Sequence, residues 1–245
     1  IYAPRPALGP GFSLPLNNIP SKLELNEDQK QELLSGGIKE EHTYLIDSEI
    51  VFDAANIIRI GKDILYLVSS TGNLSGFRWL KYFLGSSYRV HLTNTYRSSH
   101  LDSTICPLAP GIVLLNGDRV DENTIPKIFD KWQKIYFTDV AQIPEYELKF
   151  YKEVRKPVAR ELKSMSFSSP IEHISSPWGG LNVFSINPNT VCVEKNQISL
   201  IKTLEQLKFN VIPVRYRHMY TMLGCLHCST LDIEREGELV DYIND

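Results

Sequence analysis

The sequence predicts an α/β protein assembled from a repeated unit of strand, turn, strand, helix and strand. Two observations predict it: short β-branched runs alternate with stretches of helical period, and the same order of elements recurs three times along the chain. A third sets the scale, because 245 residues at 42% hydrophobic can build the core of one large domain or two small ones.

Residues 1–42 read as an extended lead-in rich in Pro, Asn and Lys/Glu, with one short helix over 27–34 that Asn26 caps and Gly36-Gly37 ends. The second region, 43–245, carries the repeats. Its first unit has strands at 44–46, 50–52, 57–60 and 63–68, then a helix at 74–84 with Leu74, Phe77, Leu80, Lys81 and Leu84 at three- and four-residue spacing. The second copy has a strand at 103–106, a turn at Ala109-Pro110-Gly111, the apolar run 112–115 and a helix around 125–134. The third has strands at 181–186 and 190–193 about the turn Asn187-Pro188-Asn189, then a helix at 197–207. Such modules arranged side by side around a centre would point their strand ends toward a shared site. Asp53, Asp102 and Asn182 stand at those ends, Asn182 having the alternative role of satisfying backbone groups. Residues 139–173 interrupt the repeats and read as a long loop or a partial helix at 145–155, long enough to cover a binding site.

Composition excludes several classes of partner. A net charge of -3 with acids and bases interspersed offers no broad basic face for a nucleic acid, and no apolar run approaches the length of a membrane span. Four cysteines in a chain without an apolar leader at its start predict reduced thiols and a cytoplasmic setting. The chain begins at Ile1, which reads as a processed protein or a fragment. Small, mildly polar ligands are the expected partners.

The chemistry-bearing residues are a thiol, an imidazole and a carboxylate from separate segments: Cys228 in Gly224-Cys225-Leu226-His227-Cys228, His100 and Asp53. A cysteine is an effective nucleophile near neutral pH when a neighbouring base takes its proton. Each residue also has a plain reading. Cys228 alone fits a buried small hydrophobe, and Cys225-x-x-Cys228 fits a redox pair or half a zinc site, although no second such pair exists. His91 and His227 compete with His100 for the role of base; in a strand, His227 would face away from Cys228. Arg119 reads equally as a turn-edge charge, and Ser175 and Ser176 as ordinary loop residues.

Taken in order, the motifs resemble the glycine amidinotransferase family. They are Phe52-Asp53-Ala54-Ala55-Asn56-Ile57-Ile58-Arg59 followed by Gly61-Lys62-Asp63, then Tyr88-Arg89-Val90-His91, His100-Leu101-Asp102, Pro110-Gly111-Ile112-Val113-Leu114, Asn116-Gly117-Asp118-Arg119 and Leu226-His227-Cys228. The resemblance runs from about residue 43 to the end and extends to bacterial natural-product amidinotransferases. It implies a pentein-type α/β propeller of five modules about a pseudo-fivefold axis. Three modules are legible, so the chain reads as a partial pentein domain without its N-terminal modules. Cys225 and Leu223 stand where the family tends to have glycine.

The resemblance further implies amidino transfer from L-arginine to an acceptor amine, glycine or another, through an amidino-cysteine intermediate with ping-pong kinetics and no metal or organic cofactor. Cys228 would be the nucleophile, His100 the general acid/base, and Asp53 the carboxylate that holds either His100 or the guanidinium. Substrate contacts would fall on Asp102, on Arg119 for the substrate carboxylate, and on Ser175 and Ser176; a homodimer is the family's common assembly. A guanidinium spreads its charge over three nitrogens and is a poor electrophile, so carboxylates must hold it in line with the sulfur while an acid protonates the departing amine. Two alternatives stay open: a hydrolase or deiminase of the same fold, in which water resolves the intermediate, and a non-catalytic ligand-binding or assembly module.

Overall fold

Among the described residues nine strands fall into three three-stranded sheets, each with its middle strand flanked by one antiparallel and one parallel neighbour. The computed structural model describes residues 50–69, 71–93, 100–139, 141, 143–164, 177–216 and 224–242. The lead-in 1–42 and the strand expected at 44–46 lie outside them, as do Ser175 and Ser176.

In the first module β1 (Ile57–Ile60) pairs antiparallel with β2 (Asp63–Leu67), and α1 (Leu74–Leu84) returns the chain so that β3 (Arg89–Thr93) runs parallel to β2. The predicted periodicity of α1 is realised: Leu74, Gly76, Phe77 and Leu80 are buried against Ile64, Tyr66, Val68 and Val90. Asn73 caps the helix, its Oδ1 accepting from the Gly76 amide at 2.9 Å and from the Val51 amide at 3.1 Å. Gly76 is required by contact: a Cβ there would lie 2.4 Å from the Tyr66 hydroxyl. The strand expected at 50–52 does not form, because the Val51 backbone is occupied by Asn73 on both its N–H and its carbonyl.

The second module has β4 (Ile105–Ala109), β5 (Ile112–Asn116) and β6 (Gln133–Phe137). Here the expected helix at 125–134 is overturned. The segment holds a single 3-10 turn at Lys127–Phe129 and then enters β6, whose Ile135 and Phe137 are buried. The apolar residues that suggested a helix serve instead to fill a core with Phe129 and to supply the alternate inward positions of a strand. The third module follows prediction more closely, with β7 (Phe184–Asn187), β8 (Thr190–Glu194), α3 (Ile198–Gln206) and β9 (Asn210–Val214). Residues 181–183 are not in β7; a 3-10 turn covers Pro177–Leu181.

Between the second and third modules runs α2 (Glu145–Ser164), twenty residues long with Pro157 inside it. This corrects the expectation of a loop or a partial helix ending near 155. Pro157 lacks the N–H of a helix interior, and the helix runs on past it to Ser164. Its start is anchored by Glu147, which is buried, accepts from Asn196 Nδ2 at 3.1 Å and lies 3.4 Å from Lys195 Nζ.

The chain divides into two compact units. One holds the described residues up to Asp102 together with Arg119–Lys131 and those from Glu234 onward; the other holds Ser103–Asp118 and Trp132–Ile233. The first unit has its own core around Tyr66 and Phe77, and the second a core built by β4, β5, β6, β8 and α3 around Leu114, Val183, Val191, Leu200 and Leu204. Among the described residues no helix is long and apolar enough to cross a membrane.

Candidate active site

In the first unit the turn after Phe52 places the carboxylate and the imidazole together. Asp53 is the N-cap of the 3-10 turn Ala54–Asn56: its Oδ1 accepts from the amides of Ala55 at 3.0 Å and Asn56 at 3.2 Å. Asn56 returns the contact, its Oδ1 accepting from the Asp53 amide at 3.1 Å, which closes a capping box. With Oδ1 fixed by backbone, Oδ2 is left to meet His100 Nε2 at 2.9 Å. The Leu101 amide donates to the Ala55 carbonyl at 2.8 Å, tying the residue after His100 to the same turn. A carboxylate can only accept, so Nε2 carries the proton and Nδ1 is the atom that gains or loses one. Burial works against the imidazolium, but the hydrogen bond and charge of Asp53, aided by the charge of Asp102, outweigh it and raise the His100 pKa above its ordinary value.

Asp102 is buried, and Arg119 is half-buried after the turn in which the Asp118 amide donates to Asn116 Oδ1 at 3.1 Å. His91, the rival base, is committed elsewhere. Its Nε2 meets Asp63 Oδ1 at 2.6 Å, and fully buried Asp63 also takes a two-pronged bond from Arg89, with Nε to Oδ1 at 2.8 Å and Nη2 to Oδ2 at 2.6 Å. Arg89 Nη1 then donates to Asp241 Oδ2 at 2.7 Å, so this cluster fastens the C-terminal segment to the first module. The Val240 carbonyl adds a bond from the Lys62 amide, close over Gly61.

In the second unit Cys228 is exposed on a turn, while Cys225 three residues earlier is fully buried. The residues around them form a turn and not a strand, so the alternation argument for His227 does not apply; His227 is exposed beside Cys228. Cys225 and Leu226 pack with Ile143, Phe184, Cys192, Val214 and Tyr216, and burial pushes the Cys225 thiol up to about 12. The two sulfurs of the C-x-x-C pair therefore sit in opposite environments, one apolar and protonated, one in solvent. All four cysteines are free thiols. Asn182, buried at the strand end, reaches Cys228: its Oδ1 accepts from the Cys228 amide at 2.8 Å.

Sequence reasoning thus singled out Asp53, His100, Cys228 and Asn182, and the structure pairs the first two and the last two. Asn56 and Gly224 had no separate signal, although the side-chain amide three residues after Asp53 is the reciprocal half of a capping box.

No protein-family model matches the chain. Over 199 residues it is 39% identical to inosamine-phosphate amidinotransferase 1 of Streptomyces glaucescens, covering 81% of this chain and 51% of that protein. It is 30% identical to the L-arginine:L-lysine amidinotransferase of Pseudomonas savastanoi pv. phaseolicola, covering 91% of this chain and 55% of that protein. The solved inosamine-phosphate amidinotransferase of Streptomyces griseus superposes with a TM-score of 0.68 at 32% identity, over 88% of this chain and 61% of that one. By fold the chain is an α/β pentein-type protein. It is homologous to the inosamine-phosphate, arginine:lysine and glycine amidinotransferases, as the ordered motifs implied. It spans about half the length of the curated relatives it matches.

Proposed function

We propose that the protein transfers the amidino group of L-arginine to an acceptor amine through a covalent intermediate on Cys228. The observation that carries this reading is the Asp53–His100 pair, an imidazole raised in pKa by its carboxylate, within a chain homologous to amidinotransferases. The guanidine nitrogen that becomes the leaving amine departs only once protonated, and a histidine that keeps its proton above the ordinary range is suited to supply it.

Cys228 loses its thiol proton to His100, and the sulfur adds to the central guanidinium carbon. The bond from that carbon to the side-chain nitrogen of arginine then breaks as the imidazolium protonates that nitrogen, and ornithine leaves. An acceptor amine adds to the amidino carbon, His100 takes its proton, and the carbon–sulfur bond breaks as that proton passes to the sulfur, restoring the Cys228 thiol and the His100 base. Donor and acceptor occupy the enzyme in turn, so the kinetics are ping-pong. Asp53 holds His100 through Oδ2; Asp102, Arg119, Ser175 and Ser176 are assigned to the substrates, Arg119 to a carboxylate. The acceptor is drawn from the class named for the relatives, which are called after glycine, lysine and inosamine phosphate. The four free thiols accord with a cytoplasmic setting, with small molecules as partners.

The test is ornithine release from arginine by the full chain with and without candidate amines. Cys228→Ala and His100→Ala should each abolish it; persistence near the wild-type rate in either would overturn the assignment. Release of citrulline, urea or ammonia in place of transfer would make the protein a hydrolase or deiminase.

A further inference from the structure

Two consecutive amides of the turn that carries Cys228 end on one residue far upstream. The Cys228 N–H donates to Asn182 Oδ1 at 2.8 Å, and the His227 N–H donates to the Asn182 carbonyl at 3.3 Å. Asn182 is 1% exposed and is itself held by its amide, which donates to the Gly179 carbonyl at 3.1 Å at the end of the 3-10 turn. A buried carboxamide of this kind is a rigid acceptor: moving it breaks bonds that water cannot replace. The turn is closed on its other side by its own residues. The Ser229 amide donates to the Cys225 carbonyl at 3.2 Å, and the Ser229 and Thr230 hydroxyls donate to the Leu226 carbonyl at 3.1 and 2.9 Å. Gly224 completes the seat, since a Cβ there would come within 2.9 Å of the Cys228 Cβ and 3.3 Å of its Sγ. The backbone of Cys228 is thus fixed from beneath while its side chain stays in solvent.

The direction of that amide also bears on the reaction. In acyl transfer the nucleophile's own N–H commonly stabilises the oxyanion of the tetrahedral intermediate. Addition to a guanidinium carbon produces no oxyanion, and here the Cys228 N–H is given to a side chain. We infer that Asn182 is a positioning residue for the nucleophile, holding the Cys228 amide away from the substrate so that the seat suits an amidino group and not an acyl group. This inference rests on the reading of Cys228 as the nucleophile.

The test compares Asn182→Ala and Asn182→Asp with wild type in two assays, the rate of the arginine-derived adduct on Cys228 and the rate of Cys228 alkylation by iodoacetamide across pH. Asn182→Ala should slow adduct formation by about 10- to 100-fold, the scale of a misplaced reacting atom, with a smaller change in the arginine concentration at half-maximal rate. Asn182→Asp keeps the acceptor oxygen but adds a negative charge beside the thiol. It should recover most of the rate at high pH, with the pH profile of alkylation displaced upward. The added charge shifts alkylation whatever role Asn182 has, so the readout that a purely structural asparagine would not move is the adduct rate, lost in folded Asn182→Ala and recovered by Asn182→Asp at high pH. An unchanged adduct rate in Asn182→Ala, or an Asn182→Asp profile that coincides with wild type, overturns the inference; the isosteric variant answers the question if the alanine variant fails to fold. If wild type forms no adduct with arginine, the proposed function fails, and the alkylation rate of folded Asn182→Ala, which carries no added charge, still reads whether Asn182 positions Cys228: a rate equal to wild type overturns the inference.

Discussion

Replacing Asn56 by alanine removes the buried hub behind Asp53. The Asn56 side chain is fully buried and bonded on both its polar atoms: Oδ1 accepts from the Asp53 amide at 3.1 Å and the Thr71 hydroxyl at 3.2 Å, while Nδ2 donates to the Leu67 carbonyl at 3.3 Å and to Ser69 Oγ at 2.9 Å. The Ser69 and Thr71 hydroxyls lie 3.3 Å apart and can keep each other, so the loss falls chiefly on the Asp53 N–H and the Leu67 carbonyl. At about 1–3 kcal/mol for each buried polar group left without its partner, and with Asp53 only half-buried, the cost is about 2–4 kcal/mol. Thr71→Val, which removes one hydroxyl from the same network, should cost about 1 kcal/mol. Urea denaturation followed by circular dichroism reads both, and the ordering of the two variants matters as much as the values. Asn56→Ala within about 0.5 kcal/mol of wild type would refute the claim that this network holds the Asp53 turn in place.

Two further outcomes follow from the titrating groups. By NMR, His100 should titrate above the ordinary histidine value, and Asp53→Asn, which keeps a competent N-cap, should bring it down; equal titration in the two proteins would contradict the pairing. Because the folded pKa is the raised one, the pair's contribution to stability is fully present below the unfolded histidine's pKa and is lost as pH rises through the folded value, and Asp53→Asn should remove that dependence. Among the thiols, iodoacetamide at pH 8 should modify Cys228 well before Cys225. A Cys225 thiol pushed to about 12 is ionised to about one part in 10⁴ at that pH and is buried as well; comparable labelling of the two by peptide mass mapping would contradict it.

Local signals carried much of the fold. α1 and α3 were visible because their apolar residues repeat at helical spacing, and the turns at Gly111 and Asn187-Pro188-Asn189 because glycine and proline mark them. The failures arise where a non-local partner overrides the local pattern. The run at 125–134 has helix-compatible spacing, but β5 offers Gln133–Phe137 a parallel strand to pair with, and the ladder wins. The full length of α2 was not legible either: residues 145–155 read as a partial helix at most, whereas it continues through Pro157 to Ser164. At the site, Asp53, His100 and Cys228 were legible as residue types in order. Asn182 was legible as a candidate for satisfying backbone groups, but not which group, since the Cys228 amide it accepts from lies 46 positions away; Gly224 matters only through a contact with a side chain four residues on. The burial that separates Cys225 from Cys228 was equally invisible, since C-x-x-C spacing says nothing about which sulfur faces solvent.

The most direct test of the account is the intact mass of the protein after incubation with L-arginine alone. Amidination of a thiol replaces one hydrogen and adds about 42 Da. The account predicts that increment on Cys228 and on no other cysteine, accompanied by one equivalent of ornithine and discharged when an acceptor amine is added. Ornithine release that continues in Cys228→Ala, with no adduct on the wild-type protein, would contradict it.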